Sequence, residues 1–541
     1  MRIPFPSRIP LFYSCGFAVL LCIVQTLEGT TPTFSLLSFA FIVIATIAFN
    51  VAGGFSYPSG SYIFFYAVIA VILGLTYKAY LGEAADTNLA TPITTMLVYV
   101  AGASGMLVAA YFKKLVLPSK SLLGETSRKI DLDGASIGCM ILGSAIFLAS
   151  VLTVSRNGTV EENYAANSGT LLSALSQVNQ FLPLGIILGV TYQIKKSGGK
   201  CFLGTAVVAG TLFSCAVFGI VATSKQGLFQ PLACVLIAAA ALRYKFSTGQ
   251  VLTFVVGMAF LFYYLVPFIQ AGKGAAQGAT FLETLEYSYT QLTDLSAVRE
   301  RTVTAVQDAF DAEDDSIHYF NAPQGIFDRL QMISIDDALI DITEQGRVFG
   351  LSPLLYDVYN LVPHFIWPDK PIIALGNIYS HEIGIAHYST VGEEDTTTGI
   401  SFSPSADAFH MARWSGVLLI GPALWFACFF TMDYVCGDTR RSPWGLLMVA
   451  MCAHIAPEGM MSGAFYLTTI GPMTVIFVSF LAAYVLPLVA TVLIKRRSSG
   501  LAETLHSHAA TRVSDLREER LPSMSLFECQ GHEFTDRAFI S

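Results

Sequence analysis

The chain has 541 residues, 53% of them hydrophobic and 13% charged, with a formal net charge of −8 and a mean hydropathy of +0.58. Soluble domains carry roughly 25% charge, so the composition excludes an ordinary soluble enzyme. It points to an all-α polytopic membrane protein with no nucleic-acid partner.

A helix crosses a bilayer with about 20 apolar residues. About twelve runs read as spans, at roughly 9–28, 34–53, 61–80, 91–112, 136–155, 171–193, 201–223, 228–243, 251–270, 415–435, 443–462 and 467–494. The first follows Arg2 and Arg8. It reads as an uncleaved span rather than a signal peptide, because no small-x-small cleavage site follows and the second run starts almost at once. The third begins after Gly53-Gly54 and Ser59-Gly60, a natural break. The 10 cysteines lie mostly inside these runs and form no CxxC pair; they read as small packing residues.

Orientation follows from Lys and Arg in the short connections. With the N-terminus cytoplasmic, the inside segments hold Arg2 and Arg8, then Lys113, Lys114, Lys120, Arg128 and Lys129, then Lys195, Lys196 and Lys200. Arg243, Lys245, Arg440, Arg441 and Lys495 to Arg497 follow, and the tail adds four arginines. That is 21 of the 31 basic residues. Both termini are then expected inside. The expected division is 1–270 with nine spans, 271–414 as a large outer loop, 415–494 with three spans, and a polar cytoplasmic tail at 495–541.

The 271–414 stretch holds 21 acidic residues against 7 basic ones. It is too long for a structureless connector. Apolar spacing predicts helices at about 281–310, 324–346 and 353–367. The last runs into Pro363-His-Phe-Ile-Trp367-Pro-Asp-Lys370-Pro371, where the prolines stop a helix. Phe365 and Trp367 suit a membrane interface. In so acidic a region the few cations are informative: Lys273, Arg299, Arg301, Arg329, Arg347, Lys370 and Arg413, with Lys78, Arg156 and Lys225 in short outer connections. An anionic ligand on this face has almost no other partners. Lys225 sits between Ser224 and Gln226, at the mouth of a run. Glu458 follows Pro457 and precedes Gly459, and an ionisable group at a Pro/Gly break inside a membrane protein is a candidate site.

No Walker A, GxGxxG, HExxH or GxSxG pattern occurs. Asp131-Leu-Asp133 has no room for a nucleotide-binding domain beside it, and Glu313 to Asp315 and Glu393 to Asp395 read as solvated acidic turns. No metal and no cofactor is expected.

About a dozen runs, a long loop between the ninth and tenth, and two stretches within it resemble the Wzy-type polysaccharide polymerases, within the wider O-antigen ligase-like membrane glycosyltransferases (GT-C-like). The two stretches are Val362-Pro363…Trp367-Pro-Asp-Lys-Pro371 and Thr398-Gly-Ile-Ser-Phe-Ser-Pro-Ser-Ala-Asp407-Ala-Phe409-His-Met-Ala-Arg413-Trp-Ser-Gly416. The spaced Arg…Gly repeats of some members do not fit onto Arg156 or Arg329. The resemblance implies a bacterial inner-membrane enzyme that joins oligosaccharide repeat units carried on undecaprenyl pyrophosphate. It also admits a chain-length regulator and a flippase as partners. Lys225, Arg329, Arg347, Lys370 and Arg413 are the expected binders of pyrophosphate and glycan. Among His364, His381, His387 and His410, His364 is the first choice of base because its neighbours are rigid, and Glu458 is the second. A ligase, a flippase for the same lipid-linked unit and a regulatory subunit are the alternatives.

Overall fold

The computed structural model describes residues 1–487, apart from 125, 127–129, 154–171, 173–174, 177, 276–280, 313–317, 363–365, 368–369, 372 and 387–398. The tail after 487 therefore lies outside the described residues, as do His364 and His387.

Every apolar run falls at least partly on helix, and no strand forms among the described residues. In chain order the helices are α1 Leu11–Leu27, α2 Pro32–Ala52, α3 Pro58–Leu81, α4 Pro92–Val116, α5 Leu132–Thr153, α6 Phe181–Lys196, α7 Thr205–Val221, α8 Lys225–Ala241 and α9 Thr248–Gly272. There follow α10 Phe281–Leu292, α11 Leu295–Ala312, α12 Ile333–Glu344, α13 Ser352–Asn360 and α14 Leu375–Glu382. The last four are α15 Pro404–Cys436, α16 Pro443–Glu458, α17 Met460–Thr468 and α18 Ile470–Val485. Six helices are long and apolar enough to cross a bilayer: those beginning at Pro32, Pro58, Pro92, Leu132, Thr248 and Pro404. The bent pair α17 and α18 makes a seventh if it is one span. Helices α1, α7 and α8 are apolar but shorter. The protein is a multi-pass, all-helical membrane protein.

The breaks have local causes. The expected helix at 281–310 divides because the Asp294 carboxylate accepts the Ala297 amide at 3.1 Å, capping a new helix at α11. The runs at 443–462 and 467–494 are re-divided at Gly459-Met460 and at Thr469. Met460 takes φ +53° there. Its amide donates to the Phe402 carbonyl at 3.1 Å, and the Asp407 carboxylate accepts the Met461 amide at 2.7 Å. These contacts satisfy first-turn amides that α17 cannot satisfy itself. Helix α15 kinks at Ala412 and Arg413. Only glycine fits at 416, since a Cβ there would run into the Ala408 carbonyl oxygen.

Described residues between Tyr319 and Met411 pack into the same hydrophobic core as α2, α3 and α4, with Tyr319, Met332, Ile333, Leu339, Ile340 and Phe402 among the buried ones. A π-helical turn in α3 spans Tyr66–Ile72, and the Ala70 carbonyl within it accepts the Met332 amide at 2.9 Å. Two carboxylates at the start of α12 complete the docking. Asp337 accepts the Ala90 and Thr91 amides at 2.5 and 3.1 Å and the Thr95 hydroxyl at 2.7 Å, which caps α4. Asp336 accepts the Tyr99 hydroxyl at 2.6 Å and the Ser403 amide at 2.9 Å.

One cation departs from its expected place. Lys113, read as an inside-loop charge, is buried, and its Nζ lies 2.6 Å from Asp433 Oδ2. The physical reason is length: α4 continues to Val116, so Lys113 remains in the bundle and must find a buried anion.

Candidate functional site

A cavity of about 1420 Å³ opens where α8, α13, α16 and α17 meet the 325–332 segment. It exceeds the roughly 300–1,000 Å³ of ordinary small-molecule pockets, so it suits a larger ligand. Three of the sequence-nominated residues line it: Lys225, Arg329 and Glu458.

Lys225 is the first residue of α8. The Ser224 hydroxyl caps this helix by accepting the Gly227 amide at 3.1 Å, and Thr223 before it takes φ +50°. The tight turn from α7 thus presents Thr223, Ser224, Lys225 and Gln226 together on the wall. The positive end of the α8 dipole adds to the Lys225 charge. Arg329 ends a 3-10 turn, Phe327–Arg329, and is exposed.

Glu458 is the last residue of α16, one past Pro457. Its Oε1 lies 2.9 Å from His454 Nδ1, one helical turn earlier, and both side chains are nearly half exposed. Helix α16 ends there: Gly459 follows, where a Cβ would run into the Ile455 carbonyl, and Met460 then leaves helical backbone with φ +53°.

Sequence reasoning missed Asp357. It lies on α13, is only 8% exposed and lines the cavity. Burial pushes its carboxyl up to about 7; the Ser462 hydroxyl beside it pulls the other way, and the Asp407 charge adds to the rise. The available signal was a lone acid in the apolar stretch Leu354-Leu-Tyr-Asp357-Val-Tyr, which the many acids around it concealed. Asp336 is likewise pushed up to about 7, chiefly by burial, but its two acceptor contacts tie it to the packing described above.

The remaining nominated residues lie elsewhere. Lys370 is 6% exposed and donates to the Val362 carbonyl at 2.9 Å, so it closes the proline-rich loop, and burial lowers its pKa. Trp367 in that loop packs edge-on against Tyr359. Arg347 is 62% exposed, with Nη1 3.9 Å from Glu382. Arg413 is exposed at the α15 kink, with φ +52°. None of the three lines the cavity. Among the other outer cations, Lys78 is consumed by the carbonyls of Thr87 and Tyr319 at 2.7 and 2.6 Å. Arg299 lies over the Tyr263 ring at 3.8 Å. His410 is buried with Nδ1 2.7 Å from the Thr343 hydroxyl.

The cavity therefore combines two cations, three groups able to carry or exchange a proton (Asp357, His454 and Glu458), and neutral donors. Such a wall suits a ligand that is anionic at one end and rich in hydroxyls at the other. Among the described residues no three His, Cys, Asp or Glu side chains gather closely enough to hold a metal ion. No protein-family model, no curated protein and no solved structure matches the chain.

Proposed function

We propose that this chain is a membrane glycosyltransferase that polymerises oligosaccharide repeat units carried on undecaprenyl pyrophosphate, at the outer face of a bacterial inner membrane. The observation that carries the reading is the large cavity in which Lys225 and Arg329 share walls with Asp357 and Glu458. Transfer from a lipid pyrophosphate builds charge on the leaving phosphate oxygens. Lys225, the α8 N-terminus and Arg329 offset that charge without a metal. The His454–Glu458 pair and the Ser224 and Gln226 side chains supply hydrogen-bonding groups for sugar hydroxyls. Arg347, Lys370 and Arg413 lie away from this cavity and act, on this reading, outside the transfer step.

A transporter for the same lipid-linked unit is the second reading. The Gly459 break and the buried Lys113–Asp433 pair favour it, since both recur where helices open for transport. The packed 319–411 segment, which a transporter has no need of, weighs against it.

The test is glycan analysis of a deletion strain beside strains rescued with wild type or with Lys225→Ala/Arg329→Ala. Single repeat units in the deletion strain, long polymer with wild type and single units with the double variant are expected. Loss of all surface glycan, with lipid-linked units accumulating inside, would establish the transporter. Long polymer left on its lipid carrier would establish a ligase.

A further inference from the structure

Three residues that line the cavity carry a buried polar atom with no hydrogen-bond partner among the described residues: Gln180 Oε1, Asp357 Oδ2 and Ser462 Oγ. The Ser462 hydroxyl acts on the Asp357 carboxyl and holds its pKa down, but neither Asp357 Oδ2 nor Ser462 Oγ completes a hydrogen bond of good geometry among the described residues. Both residues line the cavity, and the serine hydroxyl lies beside the carboxyl. A buried carboxylate oxygen or hydroxyl left unpaired is destabilising, because it has given up water without a replacement partner. Native proteins keep such groups mainly where a ligand, water or reaction uses them.

The surroundings single out this carboxylate. Helix α13 packs against α17, which carries no charged residue and whose one ionisable group is Tyr466. The Asp407 charge acts on Asp357, and the Tyr379 hydroxyl donates to Asp407. The charged groups sharing its cavity are Lys225, Arg329, His454 and Glu458. Glu458, the other carboxylate, is already bonded to His454 and is 42% exposed. Of the two carboxylates on the cavity wall, Asp357 is the enclosed one.

We propose that Asp357 is the proton acceptor of the transfer reaction, with Ser462 orienting the sugar hydroxyl that attacks. This rests on the polymerase reading. The hydroxyl proton passes to the Asp357 carboxylate as the hydroxyl oxygen bonds to the anomeric carbon of the donor glycan. The bond from that carbon to the phosphate oxygen breaks, and its electron pair leaves with the lipid pyrophosphate, beside Lys225 and Arg329. Asp357 then returns the proton to water. A carboxyl pushed up to about 7 by burial is matched to this task, because a base works best with a pKa near the operating pH.

The experiment uses the full chain in a strain lacking its own copy, and membrane vesicles from that strain, which contain its own lipid-linked repeat unit. Elongation rate is measured from pH 5 to 9. Asp357→Asn is expected to slow elongation by about 100-fold or more and to abolish the acid limb of the profile. Asp357→Glu is expected to recover part of the rate. Ser462→Ala, which removes no charge, is expected to lose about five- to tenfold with the acid limb in place. Asp357→Asn within about threefold of wild type, or slowed with the acid limb retained, overturns the assignment; an unchanged rate for Ser462→Ala overturns the orienting role. Should Asp357→Asn fail to give monodisperse protein, Asp357→Glu decides: a profile identical to wild type overturns the proposal, and a shifted acid limb supports it. Long polymer in the uncomplemented strain refutes the polymerase reading itself, whereas wild-type-dependent polymer with an active Asp357→Asn refutes only the base.

Discussion

Replacing Lys113 by Met tests whether the buried ion pair is a requirement or a convenience. In the wild type, Lys113 Nζ lies 2.6 Å from Asp433 Oδ2 and also donates to the Ala52 carbonyl at 3.1 Å and the Ser59 hydroxyl at 3.2 Å. Asp433 additionally accepts the Ser59 amide at 3.0 Å and its hydroxyl at 2.7 Å. At the observed separation, two unit charges attract by roughly 6 kcal/mol at an effective dielectric of 20. Removing the cation forfeits that attraction and leaves a carboxylate stranded with two neutral donors. Part is regained as Met fills the space, so a net loss of about 3–5 kcal/mol is expected. Asp433→Leu alone should cost a similar amount, because it strands the ammonium. The double variant Lys113→Met/Asp433→Leu should regain most of the loss, since no charge is left buried. The assay is thermal loss of the monodisperse peak in detergent across the four-member cycle. Additive losses, with the double variant the least stable, would refute the reasoning.

Other expectations follow from single contacts. Asp357→Asn should raise the thermal midpoint most at pH 8, by less at pH 5, and leave it nearly unchanged at about pH 3. The carboxyl titrates at about 7 in the fold against an ordinary 3.8, so between those values the folded state binds the extra proton and stability falls as pH rises. A midpoint that drops at pH 8 would contradict this. Asp337→Ala removes the acceptor for two α4 amides and the Thr95 hydroxyl. It should cost about 1–2 kcal/mol and speed limited proteolysis within 319–345, read by mass spectrometry. Gly416→Ala places a Cβ against the Ala408 carbonyl; it should sharply reduce folded yield, measured as monodisperse protein per cell, while Gly249→Ala, with open space around it, should not.

Apolar runs were sufficient to locate helices, because a membrane helix declares itself by unbroken hydrophobicity. They were poor at ends. The division at Gly459-Met460 depends on Phe402 and Asp407, more than fifty residues away in sequence, and no local window contains them. The scarcity of cations on the expected outer face drew notice to Lys225 and Arg329, which share the cavity. The same logic could not separate them from Lys370 or Arg413, because the fate of a cation depends on which carbonyl or which cavity the chain brings beside it. Asp357 was invisible for the converse reason. Among many acids, what distinguishes one is burial, and burial is a property of the assembled fold.

The stretch from Phe402 to Asp407 answers to several helices at once. Phe402 and Asp407 hold the start of α17, Ser403 meets Asp336 of α12, and Ser405 lies 2.6 Å from the Tyr66 hydroxyl of α3. It works as a keystone: an arch whose voussoirs are separate helices closes on six residues. A shift of a few tenths of an ångström there re-aims the α17 wall of the cavity while every lining residue keeps its identity. On the polymerase reading proposed above, variants that change product length, and not whether product forms, should therefore be sought in this stretch before the cations.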